Sequence, residues 1–312
     1  MTSCRTHDSA FLRIVHRSPI RRIGLAIALA LASGGCDKLL PGGDKSPLAP
    51  TGPPATGSAI TYTAFGASDA NGVGSSVPCV PFDQQCSGMG YVYVAARQLR
   101  SQGFIVTLSN LGIATAVIGR DFQTLGQQYH HTIAANFVEQ ELPFIVATTT
   151  VVTIFAGINE INTITSALGG GAGGSDPNGY IDGQIRAFGA DYATIIAGIR
   201  AKAASTRIII LNVPNAAGLP YLTGASLAQR QTAQRAAVGM TRTVVNPLIS
   251  SNVLVVDLMC DSRSYQASNY SSDGLHPNDS GHAFIAAEIV RAITSSSYPA
   301  PQSTCPAMTL VP

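Results

Sequence analysis

The sequence predicts a three-layer α/β/α protein: a doubly wound sheet of about five parallel strands with helices on both faces. Three observations point there. Five short apolar runs are spread along the chain, runs of helical period separate them, and polar, Gly-bearing turns follow the apolar runs. An alternating β-α-β-α order belongs to a parallel sheet wound in both directions from its centre.

The runs are ITYTAFG (60–66), FIVTLSNLG (104–112), TTTVVTIFAG (148–157), RIIILNVP (207–214) and NVLVVDL (252–258). They are mostly continuous rather than alternating, as strands buried on both faces are. Helices are expected at YVYVAARQLRSQ, ending at Gly103, at 180–203 and at 226–249. A last helix is expected over 279–296, opening on an Asp cap and carrying Phe284, Ile285, Ile289 and Ile293 on one face. There is no internal repeat and no second core, so residues 59–312 read as one domain of catalytic size.

The residues ahead of that domain have another character. Five of the 19 Lys and Arg (Arg5, Arg13, Arg17, Arg21, Arg22) precede residue 36 against one acid, Asp8, which leaves 14 bases and 16 acids for the rest. No basic face remains for phosphate backbones, which argues against nucleic acid as a partner. The run IGLAIALALA (23–32) is too short to span a bilayer and suits a secretory signal. Residues 1–36 are therefore expected to be a signal peptide that exports the chain. The SGGC ending at Cys36 is similar to the lipid-attachment signal of bacterial lipoproteins, with Ser33 where that signal usually has Leu. The alternative is conventional cleavage after Ala30–Ala32. Residues 37–58, rich in Pro and Gly, read as a tether between a membrane-held lipid and the domain. The protein is expected at the bacterial cell envelope, lipid-anchored and monomeric.

Export permits disulfides. With Cys4 in the signal and Cys36 reserved for lipid, Cys79, Cys86, Cys260 and Cys305 remain. They allow three pairings, of which nearness in the chain favours Cys79–Cys86 and Cys260–Cys305.

Ligands of a doubly wound sheet gather at the carboxyl ends of its strands. The first run is followed by GASDANG (66–72), which places Ser68 in a turn. The second is followed by Gly112, the third by GINE (157–160) with the Asn159 amide, and the fifth by DGLHPNDSGH (273–282). Each alone fits an ordinary turn or helix cap. Together, and in this order, they resemble the SGNH hydrolases, also called the GDSL family, across roughly residues 60–295. The resemblance implies that family's flavodoxin-like sheet, and it aligns Ser68, Gly112, Asn159 and His276 with the four residues of the family's name. Two positions depart: Ala67 stands where the family usually has Asp, and Glu160 where it usually has Asp.

A serine hydroxyl needs a base to become a nucleophile. His276 is expected to be that base and Asp273 its orienting partner. The N–H groups of Ser68 and Gly112 and the Asn159 amide are the expected oxyanion donors. His130 and His131 read as surface or substrate-side residues, and His282 as packing or capping. GGGAGG (169–174) lacks the Lys-Ser/Thr of a phosphate loop and reads instead as a flap near the site. A zinc site from Asp273, His276 and His282 lacks a third histidine. No metal and no cofactor are expected. The implied activity is carboxylic-ester hydrolysis through an acyl-enzyme, on a small-molecule or glycan ester. The alternative is a non-catalytic, lipid-anchored binding protein on the same fold, which the two departures keep open.

Overall fold

The computed structural model describes residues 52–83, 85–250 and 252–312. The expected signal, Cys36 and most of the 37–58 tether lie outside the described residues. Five strands form one parallel sheet: β1 (Ala59–Phe65), β2 (Ile105–Asn110), β3 (Val151–Phe155), β4 (Arg207–Leu211) and β5 (Val253–Val256). Their spatial order is β2-β1-β3-β4-β5. The chain winds first to one side of β1 and then to the other, so the switch point lies between β1 and β3, where ligands collect in such sheets.

Alternation along the strands sends side chains into two cores. Ile208 and Ile210 join Val152, Ile154, Val253 and Val255 on one face, while Ile209 and Leu211 join Tyr62, Ala64 and Val151 on the other. The first face is covered by α2 (Arg120–Gln128), α3 (Ile158–Gly169), α4 (Pro177–Lys202) and α5 (Leu227–Gly239). The second is covered by α1 (Tyr91–Ser101) and α6 (Asp279–Thr294), which pack against each other. Burying an Ile or Leu side chain contributes about 1.5–3 kcal/mol, so these two apolar layers supply most of the favourable free energy of the fold.

Several boundaries differ from the sequence expectation, each for a local reason. The third strand is shorter than 148–157. Thr150 accepts the Thr61 N–H through its side chain (3.0 Å) and Thr149 Oγ1 meets Thr63 Oγ1 (3.3 Å), so side-chain bonds join the backbone pairing of Thr150 with Thr61 at the strand's entry. At its other end Gly157, at φ +135°, turns the chain straight into α3. The helix expected over 226–249 stops at Gly239 and continues as a π-turn (Met240–Val245) and a 3-10 turn (Asn246–Leu248). The β-branched TVV and the missing N–H of Pro247 account for the loosening. The cap of α6 is Asn278, whose side chain accepts the Ser280 and Gly281 N–H groups (2.9 and 3.1 Å), and not Asp279. Asp279 instead accepts the N–H and O–H of Ser76 (2.8 and 2.7 Å). GGGAGG forms the α3–α4 connection, with Gly170 against the Tyr129 ring.

The two disulfides are Cys79–Cys86 and Cys260–Cys305. Chain-entropy estimates for loops of 7 and 45 residues are about 2.5 and about 4 kcal/mol. Replacing Cys260 and Cys305 together by Ser should therefore lower unfolding stability in urea by more than the Cys79/Cys86 double replacement does. Equal midpoints for the two variants would contradict that order.

Candidate active site

The turn that carries Ser68 follows β1 at once. Gly66 and Ala67 lead to Ser68, after which Ala70, Asn71 and Gly72 donate backbone hydrogen bonds to the carbonyls of Ala67, Ser68 and Asp69 (3.1 Å each). Ser68 is 8% exposed, enough to present one face of its hydroxyl. The turn lies hard against the loop after β2: a Cβ on Gly66 or on Gly112 would come within 2.7 or 2.6 Å of the Ala70 Cβ. Glycine at both positions is what lets the Ser68 and Gly112 backbones approach one another.

The partner of Ser68 comes from the far end of the chain. Ser68 Oγ lies 2.9 Å from His276 Nε2, and His276 Nδ1 lies 2.6 Å from Asp273 Oδ2. The natural assignment has Ser68 donating to Nε2 and Nδ1–H donating to the carboxylate. Asp273 Oδ1 also accepts from Ser271 Oγ (2.7 Å), Leu275 N (2.8 Å) and His276 N (2.9 Å). Partial burial pushes the Asp273 pKa up, but these bonds outweigh it and hold the carboxyl far below its usual range. Gly274, at φ +71°, makes the tight turn that folds Asp273 back onto its own histidine.

Of the three expected oxyanion donors, two are favourably placed. The Ser68 N–H has no partner among the described residues. Asn159, in the first turn of α3, donates one amide hydrogen to Ala116 O (2.8 Å), which fixes the side chain and leaves the other hydrogen free. The Gly112 N–H is turned to Asn110 Oδ1 at 3.2 Å, a long bond that an oxyanion would share or replace. The Glu160 departure has a structural role: its carboxyl accepts the N–H of Gly157 (2.8 Å) and of Ile118 (2.5 Å), capping α3 and tying it to the loop before α2. Burial lifts its pKa to about 7 against the pull of those N–H groups.

The remaining histidines lie away from Ser68 chemistry. His282 is fully buried, accepts the Tyr91 N–H at Nδ1 (3.3 Å) and meets Val73 O through Nε2 (3.3 Å), so neither nitrogen is open to a metal. Burial lowers its pKa to about 4. His130, at φ +59°, and His131 follow α2 in a surface turn.

Two acids beside the site escaped the sequence reading. Asp69, next to Ser68, is 9% exposed, and its Oδ1 has no partner among the described residues. Burial lifts its pKa to about 6, opposed by His276 and reinforced by Asp273. Glu141, fully buried, accepts the Gly66 N–H at 3.1 Å. A lone acid in a loop carries no periodic signal, so only contacts reveal either one. Asp69 also lines a recess of about 30 Å³, walled by Phe155, Ile158, Val213 and Leu275 among others. A much larger open groove, about 960 Å³ between α4, α5 and the C-terminal residues, contains none of the residues above.

A serine, a histidine and an aspartate in hydrogen-bonded series beside unpaired N–H donors, at the switch point of a doubly wound sheet, define a serine-hydrolase type of site. Residues 64–284 match the GDSL-like lipase/acylhydrolase family, well over half of the chain, and the chain belongs to that family. It is with that family a carboxylic-ester hydrolase. Two solved structures have the same fold. One is the lipase Lip_vut3 from a goat rumen metagenome, with a TM-score of 0.52 and 16% identity over 76% of this chain and 98% of that one. The other is an extracellular lipase of Streptomyces rimosus, with a TM-score of 0.50 and 16% identity over 76% of this chain and all of that one. A search of curated protein sequences finds no match.

The geometry predicts the effect of Asp273→Asn. An amide in place of the carboxylate favours the wrong imidazole tautomer, so kcat on an ester should fall by about three orders of magnitude or more. The Ser68–His276 spacing should persist in the variant's crystal structure. A kcat within tenfold of the parent would remove Asp273 from the site.

Proposed function

We propose that this protein is an exported serine esterase. The observation that carries the reading is the unbroken series Ser68 Oγ, His276 Nε2 and Nδ1, and Asp273 Oδ2, at 2.9 and 2.6 Å. In this reading His276 takes the Ser68 proton as the hydroxyl attacks the ester carbonyl, and Asp273 stabilises the resulting imidazolium. The carbonyl oxygen, now an anion, is met by the Ser68 N–H, the Asn159 amide and the Gly112 N–H as that bond is released from Asn110. The imidazolium then protonates the leaving alcohol, and a second round with water frees Ser68.

The substrate is an ester with a short acyl group on a small alcohol or a glycan. Support comes from the recess lined by Asp69, Leu275 and Pro277, the chain neighbours of Ser68 and His276, whose roughly 30 Å³ holds about two water-sized groups. A fluorophosphonate probe should label Ser68, Ser68→Ala should be unlabelled and inactive while folded, and p-nitrophenyl acetate should be turned over faster than the octanoate. Full activity in Ser68→Ala would sink the mechanism, and a preference for octanoate would sink the acyl assignment.

The reading places the enzyme on a bacterial membrane, held by lipid on Cys36 and spaced from it by residues 37–58. Its support is the apolar run 23–32 followed by SGGC. The native protein should partition into detergent, and mass spectrometry should find a lipidated N-terminal Cys36. A mature N-terminus at Ser33 would exclude the anchor.

A further inference from the structure

Glu141 is the last residue of a π-turn, Phe137–Glu141, that runs beneath the loops after β1 and β2. Its side chain is completely buried, yet no cation pairs with it and its Oε1 has no partner among the described residues. A carboxyl in such a place is costly, and two apolar faces nearby would have accepted a leucine. What it does there is specific. It accepts the N–H of Gly66, two residues before Ser68, at 3.1 Å. The same two loops are joined directly by Ile113 N–H to Gly66 O (3.2 Å) and are pressed together over Ala70.

We propose that Glu141 is a positioning residue: by accepting the N–H of Gly66, whose carbonyl in turn receives the N–H of Ile113, it fixes the separation of the Ser68 and Gly112 backbone N–H groups that receive the oxyanion. The proposal rests on Ser68 being the nucleophile. Donors for a developing anion are effective only if they are set at the right spacing before the reaction, and a shift of a few tenths of an ångström in one loop would misplace one of them. Glu141 contacts neither substrate nor Ser68 side chain; it acts through backbone.

The protonation state fits this role. Burial pushes the Glu141 carboxyl well above its ordinary range, more than the Gly66 and Ile113 N–H groups pull it down. The Tyr91 hydroxyl faces the same space and is itself kept neutral by burial. A neutral acid can accept the Gly66 N–H without placing a negative charge behind the oxyanion, which an ionised carboxylate would oppose. The acceptor oxygen matters and the charge does not.

The test compares Glu141→Gln, which keeps an acceptor of the same length, with Glu141→Leu, which removes it, and Glu141→Asp, which withdraws it by one methylene. In the full chain, with p-nitrophenyl acetate, Glu141→Gln should keep kcat within about threefold and share the parent's pH profile. Glu141→Leu and Glu141→Asp should lose at least tenfold in kcat with KM changed less than threefold, and should label with fluorophosphonate correspondingly more slowly. A Glu141→Leu enzyme that is less heat-stable but keeps its kcat would overturn the proposal and leave a purely structural role. So would a Glu141→Gln enzyme as impaired as Glu141→Leu, which would mean that the charge is what acts. Should Glu141→Leu fail to fold, the contrast between Gln and Asp decides alone: equal labelling rates refute the positioning role. Absence of labelling and turnover in the parent enzyme would instead mark failure of the esterase reading.

Discussion

The hydrogen bond between Ser68 and His276 joins residues 208 apart in sequence, and no local preference can hold it. What holds it is the docking of α6 on α1. Each helix follows one half of the reactive pair, and both lie on the same face of the sheet. His282 receives the N–H of Tyr91 where α1 begins, and Asp279 ties down Ser76 in the loop leading there. These are buried or charge-assisted bonds, stronger than exposed neutral ones. They set the His276 turn over the Ser68 turn much as a clasp is set by the two straps that carry it.

The chain spends few charges, only 12% of residues, and several of its acids sit in the floor of the site. Glu160 caps α3 and thereby aims Asn159, while Asp273 aims His276. Asp273 keeps its charge because it is half open to water and richly hydrogen-bonded. Glu160 and Asp69, deeply buried, are pushed to about 7 and about 6. Placement therefore separates the acid that stabilises an imidazolium from acids whose charge near an oxyanion would be harmful.

The sheet was legible because strands buried on both faces must be apolar throughout, and Ser68, Gly112 and Asn159 could be picked out because each directly follows such a strand, while His276, 20 residues past β5, was picked out by its spacing from Asp273. The helices α2 and α3 were not. The first is short and mostly polar, and the second is rich in Ile and Thr, poor helix formers that are held by the Glu160 cap and by burial of Ile161 and Ile164. Asp69 and Glu141 were missed for a different reason. Their importance lies in which N–H groups and cavities they face, and those come from segments more than 70 residues away. The last helix shows the limit most sharply. Asn278 and Asp279 are equivalent as caps on paper, and only the position of Ser76 decides which of them is drawn away.

The placement of the base on the final strand–loop–helix unit has a consequence for the order in which the protein becomes competent. The sheet's inner strands, β1, β3 and β4, are all in hand by residue 211, but Ser68 has no His276 to bond until the last forty or so residues have docked. Contacts of such long range form late. A chain that is unfinished, or folded except for α6, carries a Ser68 hydroxyl without the imidazole that receives it in the complete fold. The Ser68–His276–Asp273 series is thus assembled only when folding is complete, and its formation is itself a measure that the final helix has closed.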